Sequence, residues 1–211
     1  MTGLLPWLEW AGVAVFALTG ALVAARKHMD PFGFALLGTV TGIGGGTLRD
    51  VLLGIRPVPW ILDPTVVVIC LVVSLAAFFT ADLFEREGRA RAILWADALG
   101  LALFTVTGTA KALDAGAPAI SAVMLGVVTA TFGGIIRDIL AGDVPLALRR
   151  DIYVTASLAG AVVFVIANRF LSPETDDLIG FVVVFVIRGL AIRRGWSLPQ
   201  YGGKGQDGGR E

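Results

Sequence analysis

The chain predicts an all-α membrane protein: seven transmembrane helices built as two inverted three-helix repeats plus a seventh helix. Three observations carry this. Of 211 residues, 56% are hydrophobic and 16% charged, with a mean hydropathy of +0.81; a soluble protein this apolar would lack the polar surface to cover itself. Apolar stretches near the ~20 residues that cross a ~30 Å hydrocarbon layer recur along the chain. Finally, one unusual string occurs twice, 88 residues apart, as Gly38-Thr39-Val40-Thr41-Gly42-Ile43-Gly44-Gly45-Gly46-Thr47-Leu48-Arg49-Asp50 and Gly126-Val127-Val128-Thr129-Ala130-Thr131-Phe132-Gly133-Gly134-Ile135-Ile136-Arg137-Asp138.

The spans are placed at 7–25, 31–53, 64–84, 93–113, 118–141, 152–170 and 178–194. The first is not expected to be a removable signal peptide: Glu9 stands where a positive flank is expected, and the apolar run continues too long. Asp30-Pro31 opens the second span and Asp63-Pro64 the third, each with a capping carboxylate before a proline at the first helical position. Cys70, the single cysteine, excludes an intrachain disulfide and reads as a small hydrophobe. The fourth and fifth spans repeat the first and second. Asp151 is placed to cap the sixth span, and Asp176 or Asp177 the seventh. Residues 1–196 form one transmembrane domain, with repeat one at 7–84 and repeat two at 93–170. The glycine-rich polar tail, 197–211, cannot bury enough apolar surface to order itself. Trp7, Trp10, Trp60, Trp95 and Trp196 fall near span ends, as an interfacial aromatic belt requires.

The offset of 88 holds without a gap from the first span to the start of the third. It pairs Gly12 with Gly100, Phe16 with Phe104, Thr19-Gly20 with Thr107-Gly108, Gly45-Gly46 with Gly133-Gly134, Arg49-Asp50 with Arg137-Asp138, and Asp63 with Asp151. After three crossings the second copy starts on the opposite side, so the repeats are expected to be inverted about an axis in the membrane plane. Eleven Lys and Arg residues fall on one side (Arg26, Lys27, Arg86, Arg89, Arg91, Arg149, Arg150, Arg193, Arg194, Lys204, Arg210) and three on the other (Arg56, Lys111, Arg169). This bias predicts an outside N-terminus and a cytoplasmic C-terminus.

Consecutive glycines weaken a helix. Gly44, Gly45 and Gly46, with Gly133 and Gly134, are therefore expected to kink or unwind the second and fifth spans, exposing carbonyls and N–H groups at mid-depth. Hydroxyls of Thr41, Thr47, Thr129 and Thr131 add oxygens that can replace water around an ion, and Thr19 and Thr107, which recur in register, join Thr41 and Thr129 as expected pore-lining or charge-network residues. The spacing Gly38, Gly42, Gly46 equally suits close helix packing. An Arg or Asp at a helix centre costs about 2.5–3.5 kcal/mol, so Arg49, Asp50, Arg137 and Asp138 must face inward and be paired or hydrated. Neighbours on a helix point in different directions, which predicts exchange between repeats: Arg49 with Asp138, and Arg137 with Asp50. A buried charge lock that never meets an ion is the alternative.

These features predict a polar pathway through a bilayer. The leading function is a channel for small cations. A secondary transporter of a small zwitterion such as glycine is the alternative, since inverted repeats with broken helices also build transporters; a scaffold with no pathway is the third reading. An enzyme is not expected: one His (His28), one Cys and no Ser-His or His-Glu cluster leave no nucleophile-base pair or fixed metal site. No cofactor is expected. Zero formal charge gives no basic surface for nucleic acid.

The paired strings Gly45-Gly46-Thr47-Leu48-Arg49-Asp50 and Gly133-Gly134-Ile135-Ile136-Arg137-Asp138, with the three-plus-three-plus-one plan, resemble the trimeric intracellular cation (TRIC) channels in their bacterial branch. The resemblance covers all but the tail. It implies a homotrimer in the bacterial inner membrane, one hourglass pore per protomer kinked at the glycines, surrounding lipids, and passage of monovalent cations, potassium and also sodium. Phe132 departs from the pattern by replacing the first glycine of the second triplet.

Overall fold

The computed structural model describes residues 5–80, 86–149 and 152–198, and among these the chain is helical almost throughout. In order come α1 (Leu5–Arg26), α2 (Pro31–Leu52), a four-residue α3 (Pro59–Leu62), α4 (Thr65–Thr80), α5 (Arg86–Asp114), α6 (Ala119–Leu140), a single 3-10 turn (Leu146–Leu148), α7 (Val154–Ala167) and α8 (Pro173–Arg194). Helices α1, α5 and α6 contain segments long and apolar enough to cross a membrane; α4 and α7 are shorter apolar helices. At 22 residues each, α2 and α8 reach ~33 Å, but both carry charge within their length. Large apolar side chains such as Phe79, Ile120 and Phe170 stand fully outward, which a lipid solvent tolerates and water does not.

Helix starts follow the expected chemistry in two places. Asp30 accepts the Gly33 N–H at 2.7 Å to cap α2, and Asp63 accepts the Thr65 N–H and hydroxyl at 3.0 and 2.6 Å at the entry to α4. The last helix differs: α8 begins at Pro173 behind Ser172, so Asp176 and Asp177 lie within its first turns, buried, rather than at its cap. Asn168 at the end of α7 meets Asp176 at 2.7 Å, and that contact explains why a carboxylate enters the helix. The expected cap Asp151, Arg150 and the tail from 199 onward lie outside the described residues, as do the side chains of Arg86 and Arg89. The short α3 was not anticipated.

The core is a set of reciprocal contacts between the two halves. The rings of Phe16 and Phe104, equivalent under the offset of 88, meet at 5.1 Å. A side chain on Gly12 would strike Phe104, and one on Gly100 would strike Phe16. Helices α2 and α6 cross in the same exchanged manner. Gly45 lies against the Thr129 carbonyl and Gly133 against the Thr41 carbonyl, each so close that no Cβ could be accommodated. Rising numbers in one helix meet falling numbers in the other, so the two run antiparallel.

At one rim, Asp143 in the loop after α6 joins the loop after α1, pairing with Arg26 and, at 2.8 Å, with Lys27. Burial works against its charge, but the Lys27 hydrogen bond and the charges of Arg26, Lys27 and Arg149 outweigh it, so the carboxyl sits below its ordinary value. A depressed folded-state value stabilises the fold at pH above the unfolded value of about 3.9, and that contribution is lost as pH falls below it. The pair is solvent-screened, so Asp143→Asn is expected to cost no more than about 1 kcal/mol at neutral pH. Urea unfolding in detergent at neutral and acid pH checks this: the difference between variant and parent shrinks on the acid side.

Candidate functional site

Both helices run without interruption through their glycines, α2 from Pro31 to Leu52 and α6 from Ala119 to Leu140. The expected unwinding is absent. The glycines instead admit their neighbours: the facing backbone at Gly45 and Gly133, and at Gly44 the Ile136 side chain, which would lie 3.2 Å from an added Cβ. Gly46 and Gly134 leave room for guanidinium groups, with Arg49 Nη2 3.7 Å and Arg137 Nη2 3.6 Å from where a side chain would begin. The threonine hydroxyls are partly spent on their own helices. Thr41 donates to the Leu37 carbonyl at 2.5 Å, Thr107 to Leu103 at 3.0 Å and Thr129 to Leu125 at 2.6 Å, a common use of hydroxyls within spans.

The charges are not paired as expected. Arg49 binds Asp50 through Nε and Nη2, each at 2.8 Å to Oδ1. Arg137 binds Asp138 through Nε at 2.8 Å. Exchange between repeats is excluded by the antiparallel crossing. Position 49 lies level with position 125 of α6, about 13 residues, or ~20 Å, from Asp138. The long arginine stem curls around its own helix to the next residue instead. Both arginines occupy the last turn of their helices, where the helix dipole favours a cation, so the molecule has two separate charge clusters rather than one at mid-depth.

The clusters share a plan but differ in closure. In the second, Arg137 Nη1 reaches Asp97 at 2.8 Å and the Thr19 hydroxyl of the other repeat at 3.0 Å, while Asp138 accepts the Leu146 N–H at 2.9 Å. Tyr153, 1% exposed, brings its hydroxyl over Gly134, and the Arg188 guanidinium lies 5.2 Å above its ring. This cluster is sealed. In the first, the residue equivalent to Asp97 is Glu9, whose Oε1 stands 3.9 Å from Arg49 Nη2 but 2.5 Å from Lys111 Nζ. Arg49 Nη1 has no hydrogen-bond partner among the described residues.

The first cluster lines a cavity of about 140 Å³ together with Trp10, Trp60, Phe104 and Asp63. Trp60, brought there by α3, donates its indole N–H to the Thr47 hydroxyl at 3.0 Å and so is fixed over the glycine segment of α2. Thr65 holds the exposed Asp63 carboxyl below its ordinary value through its hydroxyl and N–H. The residues missed by sequence reasoning were Asp97, Tyr153 and Arg188, and the pairing role of Glu9. The signal for two of them was present: Glu9 and Asp97 are carboxylates exactly one repeat apart. Among the described residues no cluster of metal-ligating side chains occurs.

Helices that bury paired charges at both ends of one antiparallel crossing, beneath an apolar exterior, define a multi-pass membrane protein with a polar cavity at one end of that crossing. Comparison with known proteins places it further. A family model described as "Glycine transporter" matches twice, over residues 6–82 and 94–169, which is the repeat itself. The inner membrane protein YadS of Escherichia coli (strain K12) is 43% identical over 201 residues, spanning 92% of this chain and 95% of that protein. The TRIC channel orthologue from Rhodobacter sphaeroides is 47% identical, with a TM-score of 0.89 over 92% of this chain and all of that one. A further TRIC cation channel structure is 32% identical, with a TM-score of 0.84 over 95% of this chain and 98% of that one. The chain belongs to the bacterial branch of the trimeric intracellular cation channel family.

Proposed function

We propose that the protein is a monovalent cation channel, passing potassium and also sodium, with one pathway through each protomer of a homotrimer in a bacterial inner membrane. The observation that carries this is the pair of charge clusters at opposite ends of the α2–α6 crossing, one opening into a cavity. In this reading α1, α2, α4 and α5, α6, α7 are inverted repeats spanning the bilayer with α8 as seventh span. The N-terminus faces outside, so the Glu9 cavity is the outer mouth and the Asp97 cluster the inner one. The contact of Phe16 with Phe104, and the matched contacts of Gly45 with Thr129 and Gly133 with Thr41, support that two-fold relation. The relatives' descriptions as trimeric cation channels support the ion and the assembly.

The crossing is packed to backbone contact, which in this reading makes the described form the closed one. Conduction requires α2 and α6 to part, bending at Gly44–Gly46 and Gly133–Gly134, where a helix resists least. Separation frees Thr41 and Thr129, adjoining the crossing, to line the gap with oxygen. The internal pairing of Arg49 with Asp50 and Arg137 with Asp138 neutralises the positive charges that would otherwise repel cations.

Recording purified protein in planar bilayers under asymmetric potassium chloride tests this. The expected result is unitary current steps that reverse near the potassium equilibrium potential. Saturable glycine uptake without unitary current would instead establish a transporter, and reversal near the chloride potential an anion pathway.

A further inference from the structure

The cavity beside α1 has an uneven charge count. Its two cations are both matched: Arg49 by Asp50 at 2.8 Å and Lys111 by Glu9 at 2.5 Å. Asp63 also lines this space, and its bonds go only to Thr65, an uncharged partner. Among the described residues no cation pairs with it. One negative charge is therefore left over at the mouth of the cavity. The aromatic residues Trp10, Trp60 and Phe104 form low-dielectric walls, and such walls concentrate the field of a fixed charge into the opening.

We propose that Asp63 sets the cation preference of this mouth, concentrating small monovalent cations there before they enter the pathway. This rests on the channel reading and adds a specificity residue to it. Asp63 acts through space on the entering ion and coordinates nothing permanently. Its effect therefore depends on ionic strength: a charge that enriches cations when the screening length is long is masked when that length shrinks to a few ångströms.

The test is unitary conductance of the full-length channel in dilute (about 50 mM) and concentrated (about 1 M) potassium chloride, for the parent, Asp63→Asn and Asp63→Glu. Asparagine also serves well as a helix-capping residue, so its carbonyl can keep the Thr65 bond while the charge is removed. Asp63→Asn is expected to lower cation current entering from this side about two- to threefold in dilute salt, the enrichment given by one charge about 7 Å away in water. Outflow is less affected, so the current–voltage curve rectifies. In concentrated salt the variant and parent converge, and Asp63→Glu resembles the parent in both. An unchanged curve in dilute salt overturns the proposal, as does an equal loss at both concentrations. A parent protein without unitary cation current overturns this proposal and the channel reading together; parent current with an unaltered Asp63→Asn overturns this one alone.

Discussion

Arg137→Met is expected to destabilise the folded protein by about 3–5 kcal/mol, because it leaves Asp97 and Asp138 buried without their cation. Asp97 and the Arg137 side chain are both 1% exposed or less, so water cannot replace the lost partner. Denaturant titration in detergent micelles, following helical signal, measures the loss. Arg49→Met should cost less, about 1–3 kcal/mol: its cluster borders a cavity, Glu9 keeps Lys111, and one guanidinium nitrogen forms no bond to lose. A double-mutant cycle sharpens the contrast. Arg137 and Asp97 should show strong coupling, and Arg49 and Asp138 none, because the crossing keeps the latter pair apart.

Gly45→Val and Gly133→Val are expected to be at least as damaging as ordinary core overpacking, about 1–3 kcal/mol, and to exceed it. The atom that a new Cβ would meet is a carbonyl oxygen of the facing helix, Thr129 or Thr41, not a side chain that can swing aside. The two helices must separate, and the buried apolar and charged contacts on both sides go with them. The adjacent glycines provide the control. At Gly46 the nearest foreign atom is Arg49 Nη2 at 3.7 Å, an ordinary contact, so Gly46→Ala should be neutral or slightly stabilising through its better helix propensity. Monodisperse yield and thermal midpoint of the four proteins decide between this steric account and one in which all five glycines serve only as weak points.

Most of the architecture was legible because membrane solvent makes it so. Length and apolarity located the long helices, and the ungapped offset of 88 pointed to the duplication that the twofold family match follows. The features that were hidden depend on distances that a repeat does not encode. Whether Arg49 meets Asp50 or Asp138 is decided by the antiparallel crossing, which places the two motifs near opposite ends of the bundle. The glycines signalled weakness in the helix, yet both helices stay wound through them, and at Gly45 and Gly133 the facing backbone fills the space they leave. Asp97 was overlooked because a lone carboxylate inside an apolar run carries little signal until its equivalent, Glu9, is set beside it. The imbalance between the clusters traces to Lys111, whose counterpart one repeat earlier is Val23: only one half owns a cation that draws the carboxylate off its arginine.

The most direct test of the central claim, that ions pass only when α2 and α6 part, is a bridge across their contact. Gly44 and Ile136 face each other there, so the pair Gly44→Cys and Ile136→Cys in a Cys70→Ala background presents two thiols that a cadmium ion can join. Unitary currents should cease on adding cadmium and return with a chelator, while either single cysteine is unaffected. Undiminished current through channels whose paired thiols are fully protected from alkylation by the bound metal would contradict the account.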